Sequence, residues 1–245
     1  MIYLASHVPY EFPDSPVYQP IQVGRALDDD LHLPYQDNIG ENISAKNRHY
    51  CELTAYYWVW KNTQDDIVGI GHYRRIPTED GIFFTEERLR EILKDHDFIT
   101  NGSVNLTPSK ENYFELMNNQ DMDIPGSSLY SQYARCHKRV DMDLAWYYIR
   151  EYCPDYEEDF VNQIVFGTLF IPCNILVTTR EVFNGFCEWL FNILFFVEKY
   201  SPYKTYDDYN QRVFGFLAER LFALYFYHNK LKSFACSTID LKENN

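Results

Sequence analysis

The chain has 245 residues, 36 Asp and Glu against 22 Lys and Arg, a formal net charge of −14, and 18% aromatic residues. A field of that sign repels a phosphate backbone at long range, which argues against nucleic acid as a partner. The length suits one large α/β domain with a substantial core. The 21 Tyr and 18 Phe suit either tyrosine-rich packing or surfaces that stack on sugars and bases.

Six scattered cysteines without a CxxC pair indicate neither a zinc cluster nor a disulfide framework, and reduced thiols fit a cytoplasmic protein. The first residues lack the basic region and long apolar run of a signal peptide and read as a first strand. The longest apolar stretch, residues 189–197, is far short of the roughly 20 residues that span a bilayer.

In chain order, residues 2–5 and 20–23 read as strands, the second ending at Gly24, followed by a polar, acidic loop over 28–42. Ser44 is the expected N-cap of a helix running to residue 62, with Tyr50, Leu53, Thr54, Tyr57 and Trp58 on one face. A strand over 67–71 follows. Thr85 then caps a short helix carrying Glu86 and Glu87 in its first turn, before a strand over 97–100. This alternation is an α/β pattern.

Residues 101–125 are polar and irregular, as in a lid or recognition segment. Helices are expected over 128–135 and 141–152, and one or two strands within 166–177. Thr179 opens a helix with an apolar stripe of Phe183, Phe186, Cys187, Leu190, Phe191, Leu194 and Phe195, which reads as core. A last helix spans 209–230, with Val213, Leu217, Leu221 and Leu224 on one face, and the tail from 244 is polar.

The strand over 67–71 ends in His72-Tyr73-Arg74-Arg75, one imidazole, one phenol and two guanidinium groups. Ligands of open α/β sheets collect at the carboxyl ends of strands, and adjacent arginines suit bidentate recognition of phosphate or carboxylate. Simple pairing with the surplus acids is the alternative. His137-Lys138-Arg139 is a second local exception to the acidic balance.

No GxGxxG, GxxxxGK[ST] or GxSxG occurs, so dinucleotide, P-loop and hydrolase-elbow readings lack their backbone devices. Asp-x-Asp spacings at 28/30, 121/123 and 141/143 are able to chelate a divalent ion, although an acidic chain produces such pairs by chance. His137 and Asp141 share a helix face if a helix begins there, and a carboxylate paired with an imidazole suits removal of a hydroxyl proton; a helix-end salt bridge is the other reading. Arg212 and Glu219, seven apart on the last helix, face one cleft or form structural ion pairs.

Taken together, these residues resemble the bacterial family catalogued as domain of unknown function 4422, associated with glycosyltransferases of capsular, exopolysaccharide and lipopolysaccharide assembly. The landmarks are Ile21-Gln22-Val23-Gly24, Asp37-Asn38-Ile39, Asn42-Ile43, Lys46-Asn47, Tyr50-Cys51-Glu52-Leu53-Thr54, Trp58-Val59-Trp60-Lys61-Asn62, Gly69 and His72-Tyr73-Arg74-Arg75. The later half adds His137 with Asp141, Asn174, Phe183, Cys187-Glu188-Trp189-Leu190-Phe191, Arg212-Val213-Phe214-Gly215-Phe216 and Glu219-Arg220-Leu221. The chain departs from the family's pattern at Ile76 and Cys173, where aromatics are usual.

The resemblance implies a GT-A-like, Rossmann-related fold: a central mixed sheet flanked by helices, with a helical C-terminal part. It implies one glycosyltransferase domain over 1–245, with a nucleotide-sugar half over 1–125 and an acceptor-side half over 126–245. The expected reaction moves a hexose, galactose or galactofuranose among the candidates, from a UDP-linked donor to a lipid-linked or oligosaccharide acceptor. His72, Tyr73, Arg74, Arg75, Asp37, Asn38, Asn42, Lys46 and Asn47 are expected on the donor side. Asp141 is expected as the acceptor base, with His137 orienting it, and His7, Gly24, Glu52, Asn174, Arg212 and Glu219 as further cleft residues. The usual GT-A aspartate pair is missing from the strand end, so guanidinium groups take over much of a metal's work, with Mn²⁺ or Mg²⁺ left open. Peripheral contact with the inner membrane or a partner protein is expected. The alternatives are a noncatalytic carbohydrate- or nucleotide-binding subunit and a phosphoesterase built on Asp141, Asp143 and His137.

Overall fold

The computed structural model describes residues 1–106 and 128–240. They form two compact units: residues 1–102, 173–191 and 231–240 make the first, and residues 103–106, 128–172 and 192–230 the second.

The first unit is built on a seven-stranded sheet. Its members are β1 (Ile2–Ser6), β2 (Tyr18–Gln22), β3 (Tyr35–Gln36), β4 (Ile67–His72), β6 (Phe98–Thr100), β9 (Leu176–Thr179) and β10 (Ser233–Ala235). They lie in the order β10-β6-β9-β4-β1-β2-β3. Parallel pairs join β1 to β2 and β4, β2 to β3, and β10 to β6, while β9 runs antiparallel to β4 and β6. The sheet is therefore mixed, as expected. Every residue of β1 is buried, the mark of a central strand covered on both faces. In β4, a Cβ at Gly71 would lie 2.8 Å from Pro77 Cδ and 2.9 Å from Leu4 Cδ2, so the bare backbone lets both neighbours close over it. A separate antiparallel pair joins β5 (Ile76–Thr78) to β11 (Ser237–Ile239).

A core of Ile2, Leu4, Ile67, Ile76, Leu89, Ile92, Ile99 and Val177 includes the apolar face of α3 (Glu86–Asp95). Thr85 caps that helix as expected, its hydroxyl accepting the Arg88 N–H at 3.2 Å above Glu86 and Glu87. Elsewhere in this unit, α2 (Leu53–Asn62) meets the start of α7 (Arg180–Tyr200), with Tyr56 stacked on Phe183 at 5.7 Å and Trp60 on Phe191 at 5.9 Å.

The helix expected from Ser44 to residue 62 is not continuous. A 3₁₀ turn (Ser44–Lys46) leads into α1 (Asn47–Tyr50), and Cys51, at φ 51°, breaks the chain before α2. Ser44 caps nothing because its hydroxyl donates to Asp37 and accepts the Ala26 N–H. β10 and β11 carry no periodicity and went unread. The expected strands of 166–177 split between the units as β8 (Leu169–Phe170) and β9. The irregular segment over 101–125 contains β7 (Val104–Asn105), and its residues 107–125 lie outside the described residues.

The second unit pairs β7 antiparallel with β8 and is otherwise helical: α4 (Leu129–Cys136), α5 (Arg139–Tyr152), α6 (Glu157–Phe160) and α8 (Val213–His228). Leu129, Tyr133, Met142, Ile149, Phe160, Leu217 and Leu221 are buried in it. Arg220 is buried with them, 4.5 Å over the Phe170 ring, donating to Phe216 O and Glu219 and to Gln132 Oε1.

Candidate functional site

Parallel pairing aligns the carboxyl ends of β1, β2 and β4, with Ser6 opposite Gln22 and Ala5 opposite His72. The chain leaving each strand delivers His7, Gly24 and His72-Tyr73-Arg74-Arg75 to one edge. Because Ile70 lies opposite Leu176 on antiparallel β9, the residues just before β9 come to the same edge, Asn174 among them.

His72 and Arg75 exchange backbone hydrogen bonds, Arg75 N–H to His72 O at 2.8 Å and His72 N–H to Arg75 O at 3.3 Å, so Tyr73 and Arg74 form a tight turn between β4 and β5. Tyr73 is only 2% exposed. Around it gather the rings of His72 at 4.4 Å, Tyr10 at 4.5 Å and His7 at 5.4 Å, and the Arg74 guanidinium lies 5.2 Å over its face. Expected as a donor contact, Tyr73 is instead the buried pedestal on which the polar groups stand. Arg74 and Arg75 are exposed. The Arg74 N–H donates to His72 Nδ1 at 3.2 Å.

Asp37 is fully buried, and its carboxylate accepts the N–H of Gly24 at 2.8 Å, the N–H of Arg25 at 3.1 Å and the Ser44 hydroxyl. It therefore holds the loop after β2 rather than presenting a charge to a ligand. Gly24 has φ +70°, and a Cβ there would lie 2.8 Å from Asn47 Oδ1, so a side chain is refused by both conformation and space. Asn47 donates to Cys51 O at 2.8 Å and Thr54 Oγ1 at 3.0 Å. Asn42 ties its own turn by donating to Asn38 O and Gly40 O and accepting the Ser44 N–H. The Lys46 ammonium lies 5.9 Å over Tyr50. This group of expected donor residues is chiefly the framework of the edge.

Glu52 and Asn174, distant in sequence, meet there: Asn174 Nδ2 donates to Glu52 Oε1 at 2.6 Å, and the Tyr56 hydroxyl donates to Asn174 O at 2.6 Å. Three non-glycine residues beside this contact are left-handed, Cys51 at φ 51°, Cys173 at 75° and Asn174 at 49°. Such conformations cost roughly 1–2 kcal/mol each and persist where surrounding contacts over-determine them. Tyr10 and Tyr56 carry no signal of a site in the sequence, where Cys51 stands only among the family landmarks and Cys173 only as a departure from the family's pattern. A cysteine in the left-handed region has no residue-type signature, and Tyr56 reads simply as part of an apolar helix.

Asp141 belongs to the second unit. It is 1% exposed, and its Oδ1 accepts the hydroxyls of Ser201 at 2.5 Å and Tyr206 at 3.3 Å. Its Oδ2 is buried without a hydrogen-bond partner among the described residues. Burial raises its pKa to about 6 against the opposing pull of the two hydroxyls and Lys138. The expected shared helix face does not form, because His137 ends α4 while Asp141 lies in the first turn of α5. His137 instead stacks on Phe216 at 4.0 Å and on Tyr209 at 6.0 Å. Arg212 lies 5.4 Å over Phe216, and Glu219 is held by Arg220 at 2.8 Å.

Of the Asp-x-Asp pairs, Asp141 and Asp143 diverge, since Asp143 accepts the Tyr130 hydroxyl and pairs with Arg139 at 3.2 Å. Asp30 accepts from His32 N–H and Gln36, and the 121/123 pair lies outside the described residues. Among the described residues no group of three or more His, Cys, Asp or Glu side chains is arranged to hold a metal ion. The phosphoesterase arrangement of Asp141, Asp143 and His137 is not assembled. A cavity of about 630 Å³ opens at the opposite, amino-terminal strand edge, between Met1, Asp65, Asp66, Glu86 and Arg90. Its carboxylates give it the wrong sign for a phosphate ligand. No helix among the described residues is long and apolar enough to cross a membrane.

No curated protein matches the chain. Among solved structures, the apo structure of the WbbM bifunctional glycosyltransferase superposes with a TM-score of 0.79 at 26% identity, covering 100% of this chain and 46% of that one. The chain thus spans about half the length of that enzyme. The model of the family described as Domain of unknown function (DUF4422) matches residues 1–230, nearly the whole sequence, and the chain belongs to that family.

Proposed function

We propose that the chain is a glycosyltransferase that moves a sugar from a nucleotide-sugar donor, UDP-linked, to a hydroxyl of a growing cell-surface glycan. The observation that carries this reading is the edge at the carboxyl ends of β1, β2 and β4, where His7, His72 and two exposed arginines gather in a strongly acidic chain. The full-length likeness to part of a bifunctional glycosyltransferase supports it.

Charge on the departing diphosphate grows as the bond from the anomeric carbon to its oxygen breaks. Donors fixed at that position lower the barrier, and Arg74 and Arg75, on a turn anchored by Tyr73, are suited to the task. Asp141 is our candidate for the base that takes the acceptor proton: a carboxyl near pKa 6 is largely ionised at pH 7 yet basic enough to accept a proton. The acceptor hydroxyl would take the place that Ser201 or Tyr206 holds. Capsule, exopolysaccharide or lipopolysaccharide assembly, on the cytoplasmic side with peripheral membrane contact, is the setting this reading implies.

The test is release of UDP from UDP-hexoses by purified protein, alone and with oligosaccharide acceptors. Release that rises with an acceptor supports transfer. Binding without release would assign the chain to the noncatalytic class.

A further inference from the structure

We infer that Glu52, oriented by Asn174, is the group that grips the hydroxyls of the donor's sugar ring. This rests on the transferase reading above and assigns the opposite end of the same ligand.

Three observations converge. Glu52 opens α2, and its Oε1 accepts from Asn174 Nδ2, 122 residues further along the chain, at 2.6 Å. Asn174 is held in the left-handed region at φ 49°, directly after Cys173 at φ 75°, with its carbonyl fastened by the Tyr56 hydroxyl at 2.6 Å. Glu52 itself follows Cys51 at φ 51°, so both sides of the amide–carboxylate contact sit on strained backbone. Strain held in place by a buried tyrosine, at the ligand edge of a sheet, is the signature of a positioned group rather than of a loop fold alone.

Electrostatics then orders the ligand. A carboxylate repels a diphosphate, so within this unit the anionic end of a donor belongs with Arg74 and Arg75, and Glu52 must face an uncharged part rich in hydrogen-bond donors. Vicinal sugar hydroxyls are that part: a fixed carboxylate accepts from two adjacent O–H groups, and an amide beside it offers both a donor and an acceptor. β9 runs antiparallel beside β4 and brings Asn174 to the edge where β4 ends in His72, which gives one ligand access to both groups.

The experiment compares binding of UDP with binding of UDP-galactose and UDP-glucose by calorimetry, for the wild type, Glu52→Gln and Asn174→Gly. Glycine adopts φ 49° without strain, so Asn174→Gly removes the amide while leaving the backbone relaxed. We expect UDP affinity within about twofold of wild type in both variants and the matching UDP-hexose weakened roughly tenfold, the cost of a charge-assisted hydrogen bond. Equal losses for UDP and UDP-hexose, or no loss in either variant, would overturn the assignment while leaving the transferase reading intact. Failure of the wild type to bind any of the three would overturn both. A lowered melting temperature in Asn174→Gly, with the UDP-hexose preference unchanged, would mark Asn174 as structural and overturn the assignment.

Discussion

Arg74 and Arg75 are adjacent in sequence, but the turn that carries them is fixed by a buried ring. Tyr73 lies under the Arg74 guanidinium and between His72 and Tyr10, so removing the charges leaves the pedestal intact. Arg74→Ala and Arg75→Ala should each weaken nucleotide-sugar binding by roughly 10- to 100-fold with little change in melting temperature; retained affinity and activity in both would remove the diphosphate clamp. Asp141 has a different profile. Its folded pKa, about 6, lies above the ordinary 3.8 because burial penalises the anion. Its contribution to stability is therefore fully present below about pH 4 and is lost as pH rises through 6, at a cost of about 3 kcal/mol once ionised. Asn at this position cannot ionise, so the stability of Asp141→Asn relative to wild type should climb between pH 4 and pH 7 in urea titrations. The same variant should lose transfer while keeping donor affinity, whereas loss of donor affinity or folding would give Asp141 a structural role. Sequence alone picked out both arginines and Asp141 by residue type and spacing; it could not tell that Tyr73 and Asp37 are buried, because burial is set by elements far along the chain.

The elements show where local signals suffice. Thr85 before Glu86 and Glu87 caps its helix as the residue pattern implies, and Ser128, read only as the start of a helix, caps α4 in the same way, each hydroxyl accepting an N–H three residues on. Ser44 carries the same signal and fails, since Asp37 and Ala26 claim its hydroxyl through contacts that no window around Ser44 contains. β10 and β11 were illegible for a related reason: each has three residues, and their partners are Phe98–Thr100 and Ile76–Thr78. At this scale Gly24 is the sharpest test. Alanine there meets both the +70° φ and the Asn47 amide, and should cost about 1–3 kcal/mol in a urea titration. Arg220→Met tests the second unit: without the guanidinium, Gln132 and Glu219 lose a buried partner, and a loss of about 3 kcal/mol is expected.

Across the whole molecule, the α/β class and the mixed sheet were legible from alternating strand and helix signals and from the family resemblance. The assembly of each unit from separated segments was not, because a chain that leaves a unit and returns to it writes no mark at the crossing points. The charge of −14 was legible from composition alone and carries a prediction. Anion binding by this chain depends on a few local cations, so donor affinity should fall as salt rises, and a labelled DNA duplex should show no anisotropy change even at low salt. Duplex binding would show that the cationic groups form a far larger surface than one ligand edge. On the proposed function, the edge formed by His7, His72, Arg74 and Arg75 receives a nucleotide sugar. Its most direct test is isothermal titration of purified protein against a panel of nucleotide sugars and free nucleoside diphosphates, with and without Mn²⁺. A uridine diphosphate sugar should bind selectively, and more weakly to Arg74→Ala and Arg75→Ala. Absence of binding by every member of the panel, with and without the ion, would contradict it.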